Sequence, residues 1–394
     1  MIRILLLGIV AQLIPGLWFT PKSEAIVRSG MVEGDAFVFS MPVEGLSKGT
    51  DVQFGISLEN IGPAAPRHYM VEIYDGGRWV PSGDTVTSEG VTCNFVTIDS
   101  AVKHPSTFIT IFRLSSPVSD SLKVRCRVCS SLATDGSALS KTAEGNSVGV
   151  KPRSYVGARI HPFTGRRPSK SKRLLLVGNS LTFYYGEPYM LQEIAWSQGL
   201  RLDITASLKG GRSYGQHAAL EGTRNAIARG DFDFAFLQGW SHEPALYGSD
   251  STAHADVRTS FCDLCSQVRD FSPACRVFIE DTWAITYGGC AGFGDIDLLD
   301  SLLRKGSAGI AAASRSEILS TGRAFQIVRL DGTGLNIFSS DGLHQNFAGS
   351  YLKACVCCLT LTGKPFSGDV PDFGIPAEDA AYLRSVAERT LGLK

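Results

Sequence analysis

The sequence predicts an α/β chain: a parallel sheet wrapped by helices in its C-terminal part, preceded by an all-β sandwich. Three observations carry this. Residues 26–150 hold short apolar runs, several of period two, cut by Gly, Pro, Ser and Asp; residues after Arg173 alternate strand, loop and helix; a basic, Pro-rich stretch separates the two rhythms. At 394 residues, 44% of them hydrophobic, the chain is long enough for two domains at about 100–200 residues each.

The N-terminus has a short basic stretch to Arg3, an apolar run over 4–19, and a small-residue site at Ser23-Glu24-Ala25. Residues 1–25 therefore read as a secretory signal peptide, and the mature chain as secreted or periplasmic. The run is short for a membrane span and is interrupted by Pro15 and Gly16, so no stable span is expected after cleavage; the alternative is an anchoring helix. No Cys closely follows Ala25, which gives no sign of a lipoprotein anchor.

Residues 26–150 contain apolar runs at 36–39, 52–54, 69–74, 108–112 and 122–126 and no long segment of helical period. That pattern predicts an antiparallel β-sandwich, with Asp75-Gly76-Gly77 as a turn between two strands. An Ig-like or fibronectin-like module is the nearest general shape, without a diagnostic motif. Residues 151–172 read as a linker, with Pro152, Pro162, Pro168 and the basic string from Arg166 to Arg173. That string lacks interleaved aromatics, and Lys plus Arg equals Asp plus Glu at 38 each. Nothing in the overall charge points to nucleic acid or acidic lipid; a neutral or small substrate fits better.

Residues 173–394 predict strands at 174–177, 202–206, 232–237, 277–280 and 325–330. They predict helices at 190–197, 216–228, 255–271 and 298–313, and a last helix over about 345–361. The last helix puts Phe347, Tyr351, Leu352, Cys355, Val356 and Leu359 on one apolar side. Such alternation implies a parallel sheet covered on both faces, whose ligand lies outside the carboxyl ends of the strands. Ten Cys permit disulfides in an exported chain without fixing a pairing. Cys126-x-x-Cys129 and Cys262-x-x-Cys265 each lack a second ligand pair and read as structural or free thiols; Cys355, Cys357 and Cys358 read as buried small hydrophobes.

Gly178-Asn179-Ser180-Leu181-Thr182 directly follows the first strand of this region, placing Ser180 at the carboxyl edge of the sheet. A serine is a poor nucleophile unless a His takes its proton and an acid orients that His. Ser340-Asp341-Gly342-Leu343-His344, just ahead of the last helix, supplies both types three residues apart. Alone, this spacing also fits a helix cap at Asp341 with an exposed His344.

Together the two segments resemble the first and last sequence blocks of the SGNH (GDSL-like) hydrolases, over about Arg173 to the C-terminus. The resemblance implies a flavodoxin-like three-layer α/β/α fold and ester hydrolysis, often deacylation of carbohydrates, with Ser180, Asp341 and His344 as catalytic residues. It also implies three oxyanion donors: the Ser180 N–H, a glycine N–H and a side-chain amide. Lys209-Gly210-Gly211-Arg212-Ser213 supplies the glycine, where Gly210 and Gly211 both fit and Gly211 is preferred. The usual Gly-x-Asn-Asp is absent; the strand ends instead in Gln238-Gly239-Trp240-Ser241, similar to a branch of SGNH proteins that read Leu-Gln here, and Gln238 carries the amide on a longer arm. Asn179 replaces the Asp of the commoner Gly-Asp-Ser block, and the Gly-x-Ser-x-Gly elbow of the other large α/β-hydrolase class is missing.

Asn179, His217, Trp240 and Trp283 are candidate substrate contacts, as is Tyr185 for stacking on sugar rings. Each competes with a plainer role in a cap or core. No His pair at i, i+4, phosphate loop or dinucleotide fingerprint is present, so the sequence implies no metal and no cofactor. The function expected is an exported serine esterase removing acetyl or other acyl groups from carbohydrates, with a small-molecule or carbohydrate ester as partner. The alternatives are an acyltransferase on the same triad and a non-catalytic carbohydrate-binding surface protein.

Overall fold

A computed structural model describes residues 26–88, 90–97, 105–150 and 158–393. The expected leader, 1–25, lies outside them. The chain divides into two compact units, one of Met1–Arg166 with Leu220–Asn225, the other of Arg167–Ala219 with Ala226–Lys394.

Among the described residues, the first unit contains two larger antiparallel sheets and a two-stranded hairpin, Val86–Ser88 with Val91–Cys93. In one, Ile26–Ser29 pairs with Ser147–Val150, which pairs with Asp51–Asn60, which pairs with Pro105–Arg113. The other runs Ala36–Pro42, Ser121–Val128, His68–Asp75, Arg78–Pro81. Strict alternation explains how the second sheet finds its register. Leu122, Val124, Cys126 and Val128 are fully buried, while Arg125 and Arg127 turn away and both donate to Glu72, at 2.7 and 3.1 Å. Side chains of both sheets, among them Phe37, Phe54, Ile56, Val71 and Val124, share one core. The turn expected at Gly76-Gly77 is present, with φ of +57° and +81° that only glycine adopts without strain.

The stretch read as a linker carries sheet at both ends. Ala158–Pro162 pairs with Asp51–Asn60 and buries Ile160, and a strand of the second unit begins at Lys170. One buried residue between polar neighbours gives too little periodicity to be seen in sequence.

The second unit is built on five parallel strands, β1 (Lys170–Gly178), β2 (Leu200–Lys209), β3 (Phe234–Leu237), β4 (Arg276–Glu280) and β5 (Glu317–Leu319), in the order β2-β1-β3-β4-β5. Leu175 and Val177 of β1, Ala235 and Leu237 of β3, and Val277 and Ile279 of β4 join one core with Val257, Phe261, Leu264, Val268 and Ile310 of the helices Ala255–Phe271 and Ile296–Ser314. The alternate residues face the opposite side, where Phe236 meets Phe278 edge-on at 5.3 Å. Elsewhere in the unit Phe347–Thr362 packs against Glu187–Ser197 and Ala377–Thr390. Burial on both faces is why Leu174 to Val177 reads as an unbroken apolar run.

Three sequence expectations are corrected. The segment 325–330, read as a strand, lies in the helix Thr321–Asp331, whose buried Thr321, Ala324, Phe325 and Val328 recur at helical spacing; the fifth strand is Glu317–Leu319. A further helix, Ala377–Thr390, follows the one read as last and buries Ala380, Leu383, Val386 and Ala387. The helix expected over 216–228 is two, Tyr214–Ala219 and Glu221–Ile227. Among the described residues no helix is long and apolar enough to cross a membrane.

Candidate active site

The strand order reverses direction at β1, which makes its carboxyl end a topological switch point, the place where such sheets open a crevice. Ser180 follows β1 by one residue and opens the short helix Ser180–Phe183. Asn179 caps that helix: its Oδ1 accepts the Leu181 N–H at 3.1 Å, and its Nδ2 donates to the carbonyls of Arg212 at 3.1 Å and Gly239 at 2.7 Å. As the first helical residue, Ser180 has an N–H without an intrahelical acceptor, available to a ligand.

His344 arrives from the other end of the unit. Its Nε2 lies 2.8 Å from Ser180 Oγ, and its Nδ1 lies 2.7 Å from Asp341 Oδ2. Asp341 Oδ1 accepts the N–H groups of Leu343 and His344, both at 2.9 Å. Burial acts to raise the Asp341 carboxyl, but the hydrogen bonds from the His344 ring and from these two N–H groups win, holding it below the usual carboxylate range. With Asp341 ionised, the proton shared with Nδ1 belongs to the imidazole, which leaves Nε2 as acceptor towards Ser180.

The loop bearing Asp341 and His344 is fixed at several points. The Gly342 carbonyl accepts from Thr286 N–H at 2.9 Å and Tyr287 N–H at 3.1 Å, and the Leu343 carbonyl accepts from Trp283 Nε1 at 3.1 Å. A side chain at Gly342 would meet Thr286 Oγ1 at 2.3 Å, and its φ of +67° requires glycine besides. Tyr184 stacks face to face on the His344 ring, centroids 4.0 Å apart and 4° from parallel.

The structure thus joins Ser180, His344 and Asp341 in one hydrogen-bonded chain and distributes the remaining candidates differently from expectation. Gln238 is buried at the end of β3, with Oε1 accepting from Asn179 N–H at 2.9 Å and Thr182 Oγ1 at 3.1 Å. Its Nε2 donates to the Gly239 carbonyl. Turning the amide over would set donor against donor, so its orientation is determined, with Nε2 towards the Gly239 carbonyl. Asn179 is likewise buried and spent on the loop contacts above. His217 is fully buried in Tyr214–Ala219 and hydrogen-bonds the Gly178 backbone; burial, aided by Lys209 and Arg212, drops its pKa to about 3, a neutral ring beside the end of β1. Trp283, 1% exposed, stacks on Phe325 at 4.2 Å, so it supports the His344 loop and meets no ligand.

Trp240 differs from these. It is 41% exposed, its Nε1 donates to the Gly211 carbonyl at 2.9 Å, and its N–H is held by Glu243 Oε2 at 2.7 Å. Burial raises Glu243 to a pKa of about 7 against these backbone hydrogen bonds. Gly211 itself has φ +65°, in a loop tied to Trp240 through its own carbonyl and to Asn179 through that of Arg212.

Sequence reasoning missed Tyr184, Thr182, Gln345 and Lys353. Lys353 was visible as a charge within the run Tyr351 to Leu359 that is otherwise apolar; the others carried no signal beyond adjacency to the two motifs.

No protein-family model matches the chain, and no curated protein does. Among solved structures, the chain is similar to a DUF4886 family protein from Bacteroides uniformis, with 18% identity over 56% of this chain and 95% of that one at a TM-score of 0.47. It is similar to a protein from Bacillus subtilis, with 14% identity over 81% and 80% of the two chains and a TM-score of 0.40. It is also similar to an acetyl xylan esterase from Geobacillus stearothermophilus, with 15% identity over 51% and 99% and a TM-score of 0.36.

Proposed function

We propose that the chain is a serine esterase of the SGNH type that removes acetyl or other acyl groups from carbohydrates. The observation that carries this reading is the unbroken chain from Ser180 Oγ through the His344 ring to the Asp341 carboxylate, at 2.8 and 2.7 Å. Ser180 Oγ attacks the ester carbonyl as His344 Nε2 takes its proton, while Asp341 stabilises the imidazolium. The oxyanion is held by the N–H groups of Ser180 and Gly211. His344 returns the proton to the departing sugar oxygen, and a water activated by the same ring then releases the acid and frees Ser180. Trp240, exposed and tethered to the Gly211 loop, offers its face to a sugar ring.

The leader read at 1–25 puts this reaction outside the cytoplasm, secreted or periplasmic, and the preceding β module is read as Ig-like. The test is hydrolysis of a short-chain aryl ester by the wild type and by Ser180→Ala. The variant is expected to lose at least ~1000-fold in kcat; equal, slow hydrolysis by both would remove the basis of the assignment.

A further inference from the structure

Groups that the proposed reaction does not use hold the Ser180 turn from behind. Lys353, in the helix Phe347–Thr362, is 1% exposed. Its ammonium donates to the Leu181 carbonyl at 2.8 Å, the Thr182 hydroxyl at 3.2 Å and the Glu280 carboxylate at 2.9 Å, which accounts for all three of its protons. The Leu181 carbonyl also accepts from Gln345 Nε2 at 3.0 Å. Leu181 adjoins Ser180 in sequence and Gln345 adjoins His344, so one carbonyl ties the neighbour of the nucleophile to the neighbour of the base. The Thr182 hydroxyl passes its own proton to Gln238 Oε1, which accepts the Asn179 N–H as well, so the contacts of Lys353 extend to both ends of the turn. Glu280 closes β4 and anchors the ammonium to the sheet edge. The groups facing it from other elements include the buried Glu187, which burial pushes up to about 8. A buried ion pair is seldom better for stability than apolar residues of the same volume, so stability alone does not account for the Lys353–Glu280 pair.

We propose that Lys353, together with Gln345, is a positioning residue that clamps the Leu181 carbonyl and so keeps Ser180 Oγ within hydrogen-bond reach of His344 Nε2. This rests on the reading of Ser180 as nucleophile. The experiment uses the full chain and the variants Lys353→Met, Lys353→Met with Glu280→Met, and Gln345→Met, reading Tm, kcat and KM on an aryl acetate and the rate of fluorophosphonate labelling. Lys353→Met alone leaves Glu280 buried without its counter-charge and is expected to lose Tm. The double variant restores Tm, yet its kcat stays down by about tenfold or more with KM nearly unchanged, and labelling slows in parallel. Gln345→Met, which removes no charge, follows the same pattern and decides the matter should the double variant fail to fold. A double variant, or Gln345→Met, with native Tm and wild-type kcat overturns the clamp. If Ser180→Ala matches the wild type, the clamp and the esterase reading fall together; if Ser180→Ala is dead while the double variant is fully active, the clamp alone falls.

Discussion

Asp341 divides its two oxygens between the His344 ring and the backbone that precedes it, so it sets ring orientation and tautomer together. Asp341→Asn keeps the shape but presents an amide to Nδ1. We expect kcat to fall by ~10,000-fold with little change in Tm, measured by steady-state kinetics and thermal unfolding. Because hydrogen bonds hold Asp341 below the ordinary carboxylate range, it stays ionised on mild acidification. The stacked Tyr184 ring gives a smaller effect: Tyr184→Leu is expected to lower kcat by roughly three- to tenfold, the equivalent of one aromatic contact. Glu187 tests burial instead. Its folded pKa of about 8 exceeds the ordinary carboxyl value of 4.5, so its contribution to stability is complete below the lower value and is lost as pH rises to the higher one. Urea unfolding of wild type and Glu187→Gln should therefore diverge in the variant's favour, by roughly 1 kcal/mol per pH unit across that window.

Secondary-structure elements carried most of what the sequence revealed. Period-two alternation in Ser121–Val128 and the unbroken apolar run of β1 are both direct consequences of how many faces of a strand are covered, so strand type and sheet type could be read from them. The run from Ala324 to Leu330 contains two adjacent apolar pairs and could be threaded on either period, and it was the helix that the surrounding packing selected. At the site, the meeting of Ser180, Asp341 and His344 was legible from the two motifs that carry them, and the structure joins the three by hydrogen bonds. The direction of the Gln238 amide was not legible: from sequence an amide at a strand end can be aimed anywhere, and the Asn179 N–H and Gly239 carbonyl fix where it points. Trp283 and His217 were misread because burial, not identity, decides whether a ring meets a ligand. Helix packing supplies its own test. A side chain at Gly306 of Ile296–Ser314 would lie 1.7 Å from the Pro244 carbonyl at the start of Glu243–Ser249. Gly306→Ala is accordingly expected to destabilise the chain by about 1–3 kcal/mol or more in urea unfolding.

At the scale of the whole molecule, the second unit places its chemistry by topology. The sheet order β2-β1-β3-β4-β5 brings the end of β1 beside the ends of β2 and β3, and the Asp341–His344 loop reaches the same point through contacts with Thr286, Trp283 and Ser180. Equal numbers of acidic and basic residues fit a neutral ester better than a polyanion. The exposed surface beside Ser180 was the least legible part, because exposure of Trp240 depends on how loops end and not on any local pattern. Labelling the intact chain with a fluorophosphonate and mapping the modified peptide tests the central claim most directly. The account requires the label on Ser180, and its loss in His344→Ala; an unlabelled chain, or a label on another serine, would contradict it.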